Sequence, residues 1–111
     1  MSLIKDITTA EFETEVIQSD LPVFVDFHAK WCGPCKAVAP ALADMAREFE
    51  GEIRIVKIDI DEEPELRDRY AVQGVPTFII LRDGEVKERF SGNVTRGKLS
   101  SVIEKHVGEA Q

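Results

Sequence analysis

The chain has 111 residues, of which 43 % are hydrophobic and 32 % are charged, and its formal net charge is -7. This length suits one domain with its own hydrophobic core, and the composition is too apolar for a disordered chain. The acidic balance argues against nucleic acid as a partner, and no apolar stretch approaches the ~18 residues of a membrane span. We therefore expect a single domain over residues 1–111 that binds neither nucleic acid nor a membrane.

The first part of the chain predicts a helix and a buried strand. The N-terminal segment turns acidic at Asp6, before the apolar core of a signal peptide, so we expect a cytoplasmic protein. Thr8 and Glu11 have the spacing of a capping box, which predicts a first helix over residues 9–19. Residues 23–28 then predict a strand that is apolar on both faces, which is typical of the middle of a covered sheet.

A long helix follows, and it carries one apolar stripe as far as Glu50. Gly51 ends this helix, and residues 53–59 predict a second buried strand. A strand, a helix and a strand in this order imply a right-handed βαβ unit, so the two strands should be parallel.

The second half of the chain predicts a short helix, a hairpin and a final helix. Pro64 suits a helix N-terminus, and the segment Gly74-Val75-Pro76-Thr77 ends that helix. Asp83-Gly84 separates two apolar segments and marks a tight hairpin, and Thr95 can cap the last helix. The predicted order is βαβαββα after a lead-in helix, which is an α/β sandwich with one antiparallel hairpin.

The two cysteines, Cys32 and Cys35, are separated by two residues at the start of the long helix. Disulfide exchange needs one exposed, activated thiol and a second thiol within bonding distance, and this spacing supplies both. The N–H groups and partial positive charge of a helix N-terminus favour a thiolate there. We therefore expect Cys32 to be an exposed nucleophile and Cys35 to be the resolving thiol. Pro34 suits the first turn because its missing N–H would be unpaired there.

Three other uses of the cysteines remain open from the residues alone. A zinc site usually needs four ligands, and only His28 and His106, far apart in sequence, could add to the pair. A static structural disulfide would close too small a loop to stabilise the fold much. Two unpaired core cysteines would not explain their Trp31-Cys32-Gly33-Pro34-Cys35 context. We expect no metal.

Segments along nearly the whole chain carry a resemblance to a known family. Cys-x-x-Cys alone is weak, but Trp-Cys-Gly-Pro-Cys at residues 31–35 followed by Val-Pro-Thr at residues 75–77 is a strong combination. The other matching segments are Val25-Asp26-Phe27, Lys36, Pro40, Lys57, Gly74, Asp83-Gly84 and Gly92. In these positions the chain resembles the thioredoxin family.

The resemblance implies a thioredoxin fold, in which a central five-stranded mixed sheet is flanked by four helices, with a cis peptide bond before Pro76. The implied function is that of a protein-disulfide reductase working by dithiol–disulfide exchange without a bound cofactor. A thioredoxin reductase would re-reduce it, so NADPH would be used only indirectly. We expect a monomer whose partners are that reductase and disulfide-containing target proteins.

Asp26 is expected to be buried, because it lies on a central strand between Phe24 and His28, and burial would raise its pKa. The family role, carried to this position, is a general base that takes the proton from Cys35 during release of the target. In the same scheme Lys57, on the neighbouring strand, modulates Asp26. A surface carboxylate and a solvated strand lysine remain the alternatives for these two residues.

The resemblance also implies a flat apolar docking patch for target chains, whose backbone near the cis-proline pairs with an extended segment of the target. The residues of this docking patch are Trp31, Gly33, Pro34, Val75, Pro76 and Gly92. Two positions depart from the family pattern. His28 replaces the usual tryptophan, either as a partly buried packing residue or as a titrating group near the dithiol. Asn93 is more polar than usual, so it is a candidate for altering which targets dock.

Two other functions remain open. A redox-independent binding module would use the same patch, and its binding would survive replacement of both cysteines by serine. An oxidase or isomerase on this fold usually carries another residue in place of Pro34, and the expected reducing compartment also argues against that function.

Overall fold

The structure, a computed structural model, describes residues 3–108; residues 1–2 and 109–111 of the predicted domain lie outside the described residues. The strands are β1 (Lys5–Asp6), β2 (Val23–His28), β3 (Arg54–Asp59), β4 (Thr77–Arg82) and β5 (Glu85–Ser91). The helices are α1 (Thr9–Phe12), which continues as a π-helix over Glu13–Ile17, then α2 (Gly33–Glu48), α3 (Pro64–Arg69) and α4 (Arg96–His106). None of the described helices is long and apolar enough to cross a membrane.

The strands form one mixed sheet in the order β1-β3-β2-β4-β5. The central strand β2 pairs with β3 in parallel and with β4 antiparallel. β1 adds to β3 in parallel, and the hairpin partner β5 adds to β4. This arrangement confirms the expected α/β fold, with a five-stranded mixed sheet and four α-helices within residues 3–108, and it confirms the parallel βαβ unit.

Both faces of the sheet are covered by helices. Successive side chains of a strand point to opposite faces, so neighbouring residues of β2 pack into different cores. Val25 and Phe27 of β2 pack into a core with Phe12 and Leu66 from the α1 and α3 side. Phe24 packs into the second core, which contains the buried aliphatic residues of α2 and α4, such as Leu42 and Leu99. Burying one such phenylalanine contributes about 1.5–3 kcal/mol, so β2 is a main source of stability for both layers.

The segments that carry the sequence motifs lie together at one edge of the sheet. This edge is formed by the ends of the strands and not by an outermost strand. The register pairs Phe27 with Thr77 and His28 with Asp59, so β2 and β3 end where β4 begins. Thr77 also pairs with Ser91, so β5 ends at the same edge. The four segments that enter or leave this edge are residues 29–32, 60–63, 70–76 and 92–95.

The first part of the chain departs from the sequence prediction in two ways. The predicted helix over residues 9–19 has its capping box, in which the N–H of Glu11 donates to Thr8 Oγ1 and the N–H of Thr8 donates to Glu11 Oε1. It changes to a π-helix, in which the N–H of Gln18 donates to the carbonyl of Glu13. β1 was not predicted from the residues, because two exposed charged residues have no apolar alternation; pairing with β3 forms it.

Candidate active site

The two cysteines lie at the start of α2, where they form a disulfide with a Cα–Cα distance of 5.3 Å. Cys32 is the N-cap residue, and its Sγ accepts a hydrogen bond of 3.1 Å from the backbone N–H of Cys35. Pro34 lies in the first turn, as predicted. The sulfur of Cys32 thus occupies the position at which a helix N-terminus stabilises negative charge.

The expectation that Cys32 is exposed is wrong for this disulfide form. Cys32 is 3 % exposed and Cys35 is 7 % exposed, and both belong to the core that contains Phe27 and Ala29. The bond between the two sulfurs holds each against the other and against that core. What distinguishes the two cysteines is therefore their position relative to the helix N-terminus.

Asp26 is buried, as predicted, with 3 % of its surface exposed. Within residues 3–108, no group donates a hydrogen bond to its Oδ1. Burial raises the pKa of Asp26 to about 6, and electrostatic interactions with His28 and Lys57 oppose that shift. Asp26 and Cys35 line the same cavity, of about 330 Å³, between α2 and the sheet. The structure therefore brings a carboxyl group with raised proton affinity to the inner side of the dithiol.

Lys57 is the register partner of Asp26 across the parallel strands β2 and β3. Its ammonium, however, lies 3.8 Å from Asp6 Oδ2, and its side chain is 34 % exposed. Asp6 also contacts His28, through a distance of 3.1 Å between Oδ1 and Nε2. Sequence reasoning missed Asp6, because its place beside Lys57 depends on the pairing of β1, for which the residues carry no pattern.

The docking patch residues are brought to the same edge of the sheet. The Val75–Pro76 peptide bond is cis, as the resemblance implied, and the N–H of Gly92 donates to the carbonyl of Pro76 at 3.1 Å. Gly92 has a φ of +87°, a conformation that side-chain-bearing residues rarely adopt. A groove of about 240 Å³ runs along this contact, between residues 74–77 and residues 91–92.

The patch is not uniformly exposed. Trp31 is 68 % exposed, and Gly33, Pro34 and Gly92 are exposed as well. Val75 is half-buried against the core that holds the cysteines, and the ring of Pro76 is buried. Pro76 therefore shapes the backbone of the patch more than it adds apolar surface. Asn93, the polar departure from the family pattern, is exposed beside it.

The segment after β3 orients the residues that precede the dithiol. The indole Nε1 of Trp31 donates to Asp61 Oδ2 at 2.8 Å, and Lys30 Nζ donates to Glu62 Oε2 at 2.6 Å. These contacts hold the exposed indole at the edge of the sheet. The spacing of these pairs in the sequence gave no indication of them.

A metal site was one alternative use of the cysteines. In the part of the chain that the structure describes, no group of three or more His, Cys, Asp or Glu side chains is placed to hold a metal ion. His106 instead contacts Glu88, with a distance of 3.0 Å between Nε2 and Oε1, whereas His28 contacts Asp6.

The chain is similar to known proteins over nearly its whole length. The family model named Thioredoxin matches residues 3–105. The chain is 40 % identical to Thioredoxin 1 of Nostoc sp. over 107 residues, which cover 96 % of this chain and 100 % of the relative. It is 36 % identical to the thioredoxin of Pseudomonas aeruginosa over 104 residues, covering 94 % and 96 % of the two chains. The thioredoxin of Haemophilus influenzae is also 36 % identical, over 96 % of this chain and 100 % of its own.

The fold, the disulfide at the start of α2 and these full-length similarities support one conclusion. The chain belongs to the thioredoxin family, and it is a thiol–disulfide oxidoreductase with protein-disulfide reductase activity.

Proposed function

We propose that Cys32 is the nucleophile and Cys35 the resolving thiol of this reductase. In the first step the thiolate of Cys32 attacks a target disulfide, forms a mixed disulfide, and displaces one target thiolate. In the second step the sulfur of Cys35 attacks Cys32 Sγ, and the second target thiolate leaves with the electron pair of the broken bond. The hydrogen bond from the Cys35 N–H to Cys32 Sγ is the single observation that supports this assignment most directly.

In the second step Cys35 must lose a proton, and we assign Asp26 as the acceptor. The supporting observations are the shared cavity and the burial that raises the pKa of Asp26 to about 6. A carboxyl group with a pKa near the working pH is mostly ionised there yet holds a proton well enough to accept one. Lys57 modulates Asp26 through its charge, because it is the register partner on β3.

Targets dock on the patch formed by Trp31, Gly33, Pro34, Val75, Pro76 and Gly92. None of the backbone hydrogen bonds found outside helices and strands in residues 3–108 uses Val75, so its peptide groups are available to an extended target segment. The exposed indole of Trp31 adds apolar contact area beside the dithiol. Asn93 borders this surface and contributes to target choice.

The complete cycle needs a source of electrons, because each turnover leaves the Cys32–Cys35 pair oxidised. We assign this supply to a thioredoxin reductase that takes its electrons from NADPH, so the chain itself needs no cofactor. A reducing compartment suits this direction of transfer, and we place the protein in the cytoplasm as a monomeric single domain over residues 1–111.

The proposal is tested by the reduction of a model protein disulfide with NADPH and a thioredoxin reductase. We expect catalytic turnover with the wild-type chain and none with the variant that carries both Cys32→Ser and Cys35→Ser. Absence of turnover with several such reductases would refute the assigned partner. If the double variant retains the full effect on its targets in cells, the chain acts there as a redox-independent binding module.

A further inference from the structure

The cavity beneath α2 contains a titratable side chain that the proposed mechanism does not use. His28 lies two residues after Asp26 on β2, so both side chains point to the same face of the sheet. His28, Asp26 and Cys35 all line this cavity. The side chain of His28 is only 16 % exposed, so its imidazole lies largely within the protein.

Asp6 fixes the position of this imidazole. Its Oδ1 lies 3.1 Å from His28 Nε2, and its Oδ2 lies 3.8 Å from Lys57 Nζ. One carboxylate on the edge strand thus holds two cationic or titratable groups beside the cavity. Within residues 3–108, no group donates a hydrogen bond to Asp26 Oδ1, and the electrostatic effects of His28 and Lys57 reach Asp26 across the cavity.

We propose that His28, held by Asp6 beside Asp26 and Cys35, is a positioning residue that makes the resolving step respond to pH. This inference rests on the proposed role of Asp26 as the proton acceptor. In that step the S–H proton of Cys35 passes to the Asp26 carboxylate while the Cys35–Cys32 bond forms and the target thiolate leaves. Asp26 must be ionised beforehand, and a positive charge on His28 favours the ionised form.

The strength of the electrostatic interaction between His28 and Asp26 depends on how deeply the cavity that they line is buried. Water screens two charges less in a half-buried cavity than at the surface, so a charge several ångströms away has a measurable influence. Burial raises the pKa of Asp26 to about 6, and the charge on His28 is the first of the opposing influences, ahead of Lys57. An imidazole is the side-chain type whose charge changes between about pH 5 and 8, so a histidine at this position brings a pH-dependent charge to the cavity.

Other charged groups face His28 from each element around it, and they belong to the same balance. Asp6 approaches from β1, Lys57 and the register partner Asp59 lie on β3, and Lys36 of α2 lines the cavity. Lys30 lines it as well, although Glu62 binds its ammonium. Among these side chains His28 is the one whose type changes charge near neutral pH, which makes it the pH-sensitive member.

The test replaces His28 with side chains of fixed charge. The rate at which Cys35 resolves a preformed mixed disulfide is measured from pH 5 to 8.5, and the carboxyl carbon of Asp26 is titrated by NMR. We expect His28→Asn to raise both midpoints by about half a pH unit, because the charge is removed, and His28→Lys to lower them by a smaller amount, because it makes permanent a charge that already acts on Asp26. At pH 8.5 the rates of His28→Asn and the wild type should agree within about twofold.

The matched control is His106→Asn, which changes the other histidine of the chain and should leave both midpoints in place. Shifts of the same sign in both His28 variants, or no shift of the Asp26 titration, would overturn the inference. The variant Asp26→Asn separates this outcome from failure of the proposed function. If Asp26→Asn resolves mixed disulfides at the wild-type rate, the acceptor role is wrong; if it is slow while the His28 variants show no shift, only the role of His28 is wrong.

Discussion

Asp26 and Lys57 face each other in the parallel register of β2 and β3, yet the ammonium of Lys57 lies beside Asp6, at 3.8 Å. The buried carboxyl is thus next to a cation that another carboxylate holds. Its ionisation in the folded chain is opposed by burial and is only partly supported by charge.

The first prediction concerns the pH dependence of stability. The pKa of Asp26 is raised from 3.8 to about 6, so the unfolded chain loses this proton at lower pH than the folded chain. The stability that protonated Asp26 gives to the folded chain is therefore fully present below about pH 4, and it is lost as pH rises through about 6. The free energy of unfolding of Asp26→Ala, measured relative to that of the wild type, should increase by about 2–3 kcal/mol between pH 4 and pH 8.

Urea denaturation at several pH values measures this difference directly. Val25→Ala, a buried apolar change on the same strand, should lower stability by an amount that does not vary with pH. If the difference between Asp26→Ala and the wild type were equally independent of pH, the carboxyl would not be perturbed in the folded chain.

Trp31 offers a prediction about target binding without loss of the fold. Its indole is 68 % exposed and donates to Asp61, so Trp31→Ala should lower the free energy of unfolding by less than about 1 kcal/mol. The same change should raise the KM for a protein disulfide about tenfold, because it removes a large exposed aromatic side chain from the docking patch. Steady-state kinetics with a reductase-coupled assay measure the KM.

The control for Trp31 is Val86→Ala. Val86 is also exposed, at 45 %, but it lies near the start of β5, away from the edge that carries the dithiol. Its replacement should leave the KM unchanged. Equal effects of the two substitutions would place target binding elsewhere on the surface.

Ala71 carries a backbone prediction. Its φ is +53°, a left-handed conformation that costs an alanine roughly 1 kcal/mol and costs glycine little. Arg89 of β5 stabilises this turn by donating to the carbonyls of Tyr70 and Ala71 at 2.6 and 3.0 Å. Ala71→Gly should therefore raise stability by up to about 1 kcal/mol, whereas Ala37→Gly, at an exposed position within α2, should lower it by a similar amount. Thermal or urea unfolding that shows both substitutions destabilising would contradict the relief of strain at Ala71.

Glu88 links α4 to β5 in a pH-dependent way. Its hydrogen bond with His106 is the main reason that the pKa of Glu88 is lowered in the folded chain. The stabilisation from Glu88 is therefore present above the pKa that this group has in the unfolded chain, and it is lost as pH falls through its pKa in the folded chain. Glu88→Gln should destabilise the fold at pH 7 and much less at pH 3, as followed by urea denaturation. The control is Glu85→Gln, because Glu85 is 74 % exposed and pairs with nearby Lys87; a pH-dependent loss as large as that of Glu88→Gln would argue against the specific pair.

Patterns local in sequence predicted most of the elements. The apolar run of β2, the Thr8–Glu11 box and the position of the cysteines at a helix start each depend on neighbouring residues, and all three are present. The cis bond before Pro76 was predicted only from the family resemblance, because X-Pro bonds are mostly trans and nothing in the residues alone favours the cis form here.

Features that depend on distant parts of the chain were not predictable in this way. Asp6 contacts His28 and Lys57 only because β1 pairs with β3, and that two-residue strand has no apolar pattern. The burial of Cys32 follows from the packing of the disulfide into a core shared with several elements. In both cases the deciding contacts are between residues far apart in sequence, which local patterns do not encode.

The division of labour between the cysteines is the central claim, and trapping of mixed disulfides tests it most directly. Cys35→Ser should accumulate covalent complexes with target proteins through Cys32, because the resolving step is absent, whereas Cys32→Ser should trap almost none. Non-reducing mass spectrometry identifies the complexes and the cysteine that joins them. Equal trapping by the two variants, or complexes joined through Cys35, would contradict the assignment of Cys32 as the nucleophile.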